Sequence, residues 1–248
     1  MLRRTLITQA ALLCTLAGSA SANVFTIDWL NMSPVPNGQQ VPNNSNYFLP
    51  GLGNVNVSYN ISSDFFHGRN VEPLLQNQGF TSGPDTYNWT NHELFAATLL
   101  TGPDPLVAVP WDVTFTFSGT VNPGQIYVGV AGLGSTTSSG GGSTIATVNQ
   151  NGTYLGEYIG PNNWGPTQFT GGPGTFSMQN SLSAPGGVDP HWNTGLAVVR
   201  IDDAVSSITV HFSHIRGDGA GVNIGYIPAP SSAALLSLSG LVAFRRRR

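Results

Sequence analysis

The sequence predicts an all-β protein, an antiparallel β-sandwich of jelly-roll-like type. Three observations point there. Gly (31) and Pro (17) interrupt the 248-residue chain too often for long helices. Val, Ile, Thr and aromatic residues fill the stretches between turn residues, and these types suit a pleated, half-buried surface. Several of those stretches alternate apolar and polar residues with a period of two, as a strand with one buried face does. Many short strands with turn signals between them predict two packed sheets.

The first candidate strand is 24–29. Residues 32–50, rich in Pro, Asn and Gln, read as an irregular connection. The next strand, 55–61, sets Val55, Val57, Tyr59 and Ile61 against Asn56, Ser58 and Asn60. Thr90-Asn91-His92-Glu93 has the form of a capping box before the apolar run 94–100 and a Gly102-Pro103 stop. That segment is two turns of helix or a further strand. The clearest strand is 112–118, with Val113, Phe115 and Phe117 toward a core and Thr114 and Thr116 outward. Strands 125–130, 144–148 and 153–159 follow between Gly and Asn turns, and the Ser/Thr/Gly run 135–143 reads as a flexible loop tip. The stretches 196–201, 208–212 and 221–226 read as a three-stranded meander, turning at Asp202-Asp203 and at Gly217-Asp218-Gly219.

The charges divide the chain into three parts. There is no lysine. Two Arg (Arg3, Arg4) stand at the start and four (Arg245, Arg246, Arg247, Arg248) at the end, leaving three between. All twelve acidic residues lie in that middle stretch, which therefore carries three positive and twelve negative charges, a net −9. So cation-poor a body cannot neutralise many phosphates, which excludes nucleic acid as a partner.

Residues 1–22 have the layout of a secretory signal peptide: two Arg, an apolar run, then small residues ending in Ala20-Ser21-Ala22. Cleavage after Ala22 is expected to leave Asn23 as the mature N-terminus. It also removes Cys14, the sole cysteine, so the body holds together without disulfides. The body, 23–226, is long enough for one sizeable core. The tail, 227–248, combines Pro228-Ala229-Pro230, a segment 227–244 with its apolar heart at 233–244, expected to form a single transmembrane helix, and the Arg block. Four Arg after an apolar segment hold that end on the cytoplasmic side.

This tripartite tail resembles the PEP-CTERM sorting signal of bacterial exported proteins, with Ala229 standing where the family typically has Glu. The resemblance covers about the last 22 residues, with the signal peptide as its companion. It implies entry through the export translocon, transient anchoring in the membrane, and recognition by an exosortase-type enzyme near Pro228-Ala229-Pro230. The cut body would then go to the cell surface or an exopolysaccharide matrix. A retained anchor is the alternative.

For the body, the residues leave several chemistries to weigh. Without Cys or Lys it lacks thiol and amine side-chain nucleophiles. Glu72, Glu93 and Glu157 are its only glutamates, and paired acids are what a glycoside hydrolase needs. His211 and His214 stand three apart, which on a strand points them to opposite faces. Asp202, Asp203 and Asp218 at neighbouring turns form a candidate Ca²⁺ site, the one cofactor considered. Trp164 and Trp192, beside Asn163 and Asn193, form a candidate sugar-binding set, an aromatic platform flanked by amides. Trp29 and Trp111 read as core. The expectation is an exported structural or adhesive protein and no enzyme, with a carbohydrate-binding module as the alternative and a secreted glycoside hydrolase as the second.

Overall fold

A computed structural model of the protein describes residues 22–99, 107–133, 143–161, 166–180, 195–215 and 219–228. The alternating stretches become strands whose apolar side chains turn inward. Val113, Phe115 and Phe117 are buried, Thr114 is half-buried and Thr116 exposed, within a strand running Val109–Val121.

In chain order the described strands are β1 (Val24–Thr26), β2 (Asp28–Trp29), β3 (Ser45–Leu49), β4 (Gly53–Asn60), β5 (Phe65–Asn70), β6 (Gly79–Ser82), β7 (Asp85–Asn88), β8 (Leu94–Leu99), β9 (Val109–Val121), β10 (Ile126–Ala131), β11 (Ser143–Val148), β12 (Gly152–Tyr158), β13 (Thr167–Gly172), β14 (Thr175–Asn180), β15 (Leu196–Ile201), β16 (Val205–Ile215) and β17 (Gly219–Tyr226). The one described helical element is a 3₁₀ turn, Pro73–Leu75. The capping-box segment therefore forms strand and no helix.

The strands form three layers. An outer sheet has the order β13-β14-β11-β16-β9-β4-β3. A middle sheet has the order β12-β15-β10-β17-β8-β5, with β2 also bonded to β17. A small sheet, β1-β7-β6, covers part of the middle sheet. Every pairing is antiparallel except β1 with β7. The protein is thus all-β and sandwich-like.

Between outer and middle sheets lies the main core, with Val113, Phe115 and Phe212 from one side and Val128, Val199 and Val222 from the other. Trp111 sits in it, stacked on Phe212 with ring centroids 4.0 Å apart. A second core fills the other face of the middle sheet, where Tyr127, Leu196, Val198 and Leu94 meet Phe80, Tyr87, Trp89 and Trp29. Two glycines make room there. A Cβ on Gly129 would come within 2.7 Å of the Trp29 ring, and one on Gly225 within 2.9 Å. Gly129 in β10 and Gly225 in β17 thus open a slot for one indole.

The meander expected at 196–226 does not form. β15 and β17 belong to the middle sheet with β10 between them, while β16 lies in the outer sheet between β9 and β11. The Asp202-Asp203 turn carries the chain across the core from one sheet to the other. The same alternation runs through β8, β9, β10 and β11. The residues 32–50 include a strand, β3, and 24–29 divides into β1 and β2, which join different sheets.

Candidate functional site

Two polar features stand out. The first is a groove of about 390 Å³ bordered by β2, β5, the end of the 3₁₀ turn and the β7–β8 connection. At its rear Arg69 grips Glu93 with both arms: Nη2 donates to Oε1 at 2.6 Å and Nε to Oε2 at 2.9 Å. Both side chains are only 12 % exposed. Glu93 Oε2 also accepts from the Met32 backbone N–H at 2.7 Å, and Arg69 Nη1 donates to the Val35 carbonyl at 2.9 Å. The pair thereby ties the 32–39 connection to the middle sheet. The bond to Glu93 is the main cause raising Arg69 further above its usual value, so its charge is permanent. Gln76 is also committed: its Nε2 donates to the His92 carbonyl at 2.6 Å. Exposed Asn31, Thr90 and Asn91 and half-buried Asp28 form the accessible lining. Carboxamide, hydroxyl and carboxylate groups around such a hollow suit a small hydroxyl-bearing ligand.

His92 sits behind this groove, 1 % exposed, with its ring edge-on to Trp29 at 4.7 Å. Burial pushes it down to about 3, so the ring is neutral. Neither ring nitrogen, nor Trp29 Nε1, has a partner among the described residues.

The second feature is the outward face of the outer sheet. Its cross-strand rows are made mostly of short neutral polar side chains. One row reads Asn46, Asn56, Thr116, Ser207 across β3, β4, β9 and β16; another reads Ser58, Thr114, Thr209. Thr114 and Thr209 hydroxyls lie 2.8 Å apart, and Asn56 Nδ2 donates to Asn46 Oδ1 at 3.3 Å. A third row carries Asp112 and His211, bonded at 2.7 Å, and continues to Thr147 and Ser177. Adjacent strands repeat at about 4.8 Å, so the rows form a regular lattice of donors and acceptors.

The residues singled out from the sequence fall in different places. His211 and His214 do face opposite ways on β16: His211 outward to Asp112, His214 inward, accepting at Nδ1 from Trp111 Nε1 at 2.9 Å. Burial lowers His214 to about 4. Asp202 accepts from Arg200 Nε at 2.9 Å and from the Thr153 hydroxyl at 2.6 Å. Asp203 accepts from the Asn151 backbone and side chain at 2.6 and 2.8 Å, bonds that lower its pKa. Asp218 lies outside the described residues, and no group of three or more metal-ligating side chains occurs among those described.

The three glutamates are dispersed. Glu93 holds Arg69, Glu72 accepts from Leu74 N–H to cap the 3₁₀ turn, and Glu157 accepts from Thr167. Trp29, Trp89 and Trp111 are all core residues. Trp164, Trp192, Asn163 and Asn193 lie outside the described residues, as do Ala20, Ala229, Pro230, the Arg block and most of the 135–143 run. Ala22 and Asn23 are exposed ahead of β1, and Pro228 follows β17.

Neither the groove nor the Arg69–Glu93 pair is legible in the sequence, because five separate segments converge there. The outward Thr residues of β9 and the Asn56 and Ser58 of β4 are the parts of the polar face that alternation alone reveals. No protein-family model matches the chain, and no curated protein or solved structure matches it either.

Proposed function

We propose that this is an exported bacterial protein, sorted through a PEP-CTERM-like tail, whose body serves a structural or adhesive role at the cell surface or in an extracellular matrix. The observation that carries the reading is the tail: Pro228-Ala229-Pro230, the segment 227–244 with its apolar heart at 233–244 as a transmembrane helix, and Arg245–Arg248. Among the described residues the strands run from Val24 to Tyr226.

The body itself is read as a jelly roll. Eight strands that alternate between the sheets, in the orders β8-β17-β10-β15 and β9-β16-β11-β14, support this. The remaining strands extend its edges or cover its middle sheet.

Carbohydrate binding is the second reading, favoured by the outward lattice of Asn, Ser and Thr side chains. One experiment addresses both. The full chain is produced in a host that carries an exosortase-type enzyme, and the extracellular fraction is analysed by mass spectrometry. The expected form starts at Asn23 and lacks Arg245–Arg248. A full-length C-terminus in that fraction overturns proteolytic sorting. The same material, run through gels containing a neutral polysaccharide, is retarded if the second reading holds and unaffected if it fails.

A further inference from the structure

We propose that Asp85 is an intramolecular receptor for the α-ammonium group created at Asn23 when residues 1–22 are removed. The proposal rests on the cleavage site given above.

Three contacts at the start of β1 motivate it. The Asn23 backbone nitrogen donates to Asp85 Oδ1 at 3.1 Å, and its side-chain Nδ2 donates to the same oxygen at 3.0 Å. The Asn23 carbonyl accepts from Thr86 N–H at 2.8 Å. Asp85 opens β7, and β1 runs parallel to that strand with Val24 opposite Thr86. Asn23 is therefore gripped at its nitrogen, its side chain and its carbonyl by two consecutive residues of β7.

Cleavage changes the chemistry of one of these contacts. Water adds across the Ala22–Asn23 peptide bond; its hydroxyl ends on the Ala22 carboxyl group, and the nitrogen leaves as an amine. That amine takes up a proton near neutral pH. A bond in which only the acceptor is charged thus becomes one between two opposite charges, ammonium and carboxylate. The geometry is ready before the charge exists.

The composition gives this group a special standing. With no lysine anywhere in the chain, the α-amino group is the only primary amine of the mature protein. Exopeptidases that trim from the N-terminus must take hold of a free α-amine and an extended first peptide. Here the amine is held by Asp85 and the first carbonyl by β7, so the dock withholds the end from trimming.

The test uses the secreted protein made from the full chain, as wild type, Asp85→Ala and Asp85→Asn. N-terminal sequencing comes first. Each form is then treated at one neutral pH with an amine-reactive ester, and separately with a broad aminopeptidase. With a single primary amine, labelling reports that group alone. Asp85→Ala should label roughly three- to tenfold faster than wild type, as expected for release of an amine from a nearby carboxylate. It should also lose Asn23 to the peptidase sooner. Asp85→Asn keeps the side chain's shape without its charge and should fall between them; it also serves if Asp85→Ala is not secreted. Equal labelling and trimming in forms that all begin at Asn23 overturn the dock alone. A mature form beginning elsewhere overturns the cleavage site and the dock with it.

Discussion

The outer and middle sheets are built from the same residue types, yet they are written differently in the chain. In the outer sheet one face meets water, and β9 alternates Val113, Phe115 and Phe117 with Thr114 and Thr116. In the interior of the middle sheet both faces are covered, and β8, β10 and β17 are buried almost throughout. A strand covered on both sides has no reason to alternate. The number of covered faces, more than strand propensity, decides whether a strand can be recognised from its own residues. It also sets the tolerance for change: a polar group in the middle sheet needs a protein partner, while one on the outer face has water.

That contrast can be broken by substitution. The largest expected effect is at the rim of the middle sheet. Arg69→Ala leaves the Glu93 carboxylate buried without its partner and should cost about 4 kcal/mol by denaturant unfolding. A loss under 1 kcal/mol would mean that water replaces the guanidinium, and the two regions would then differ little. Next comes Gly129→Val, which drives a side chain into the Trp29 slot and should cost about 3 kcal/mol. The thermal midpoint reports it, and Thr116→Val on the outward face, where there is space, should stay within about 0.5 kcal/mol of wild type.

Acid offers a third approach. Burial holds His92 at about 3 and His214 at about 4, both below the ordinary 6.5. Unfolding restores the higher value, so the unfolded chain binds more protons. The stabilising contribution is complete above about pH 6.5 and is lost as pH falls toward the folded values. Each histidine should cost about 2 kcal/mol between roughly pH 7 and pH 5. His92→Phe should therefore remove its own share, about 2 kcal/mol, of the acid sensitivity measured as stability against pH. The smallest effect belongs to the outward face. Asp112→Asn disrupts an exposed pair with His211 and, with solvent screening, should cost at most about 0.5 kcal/mol. A cost near 2 kcal/mol would mark that face as covered.

The same difference governs what was legible. The outer strands β4 and β9 stand in the sequence as alternating runs, and the all-β class follows from them. The segment 94–99 does not declare itself, because Leu94 and Ala96 face one core while Phe95 and Ala97 face the other. β5 carries His67, Gly68 and Arg69, an unpromising strand by composition; Arg69 is there because Glu93, brought up by neighbouring β8, needs it. β15, β16 and β17 were each visible, but their partners were not, since crossing between sheets leaves no local mark in a turn such as Asp202-Asp203. The candidate site was hidden for a related reason. Asp28, Asn31, Gln76 and Asn91 acquire meaning only when the folded chain brings them around one groove.

The position of β17 bears on the order of events in making this protein. The last strand of the body is an interior one: β10 lines one side of it, and β8 and β2 share the other. Until Tyr226 is available, the strands on either side have nothing to close upon, and the middle sheet remains two unconnected halves. Pairings of this span are slow, because a long loop must close before any contact rewards it. A chain built this way completes its middle sheet only when the residues of its last described strand arrive.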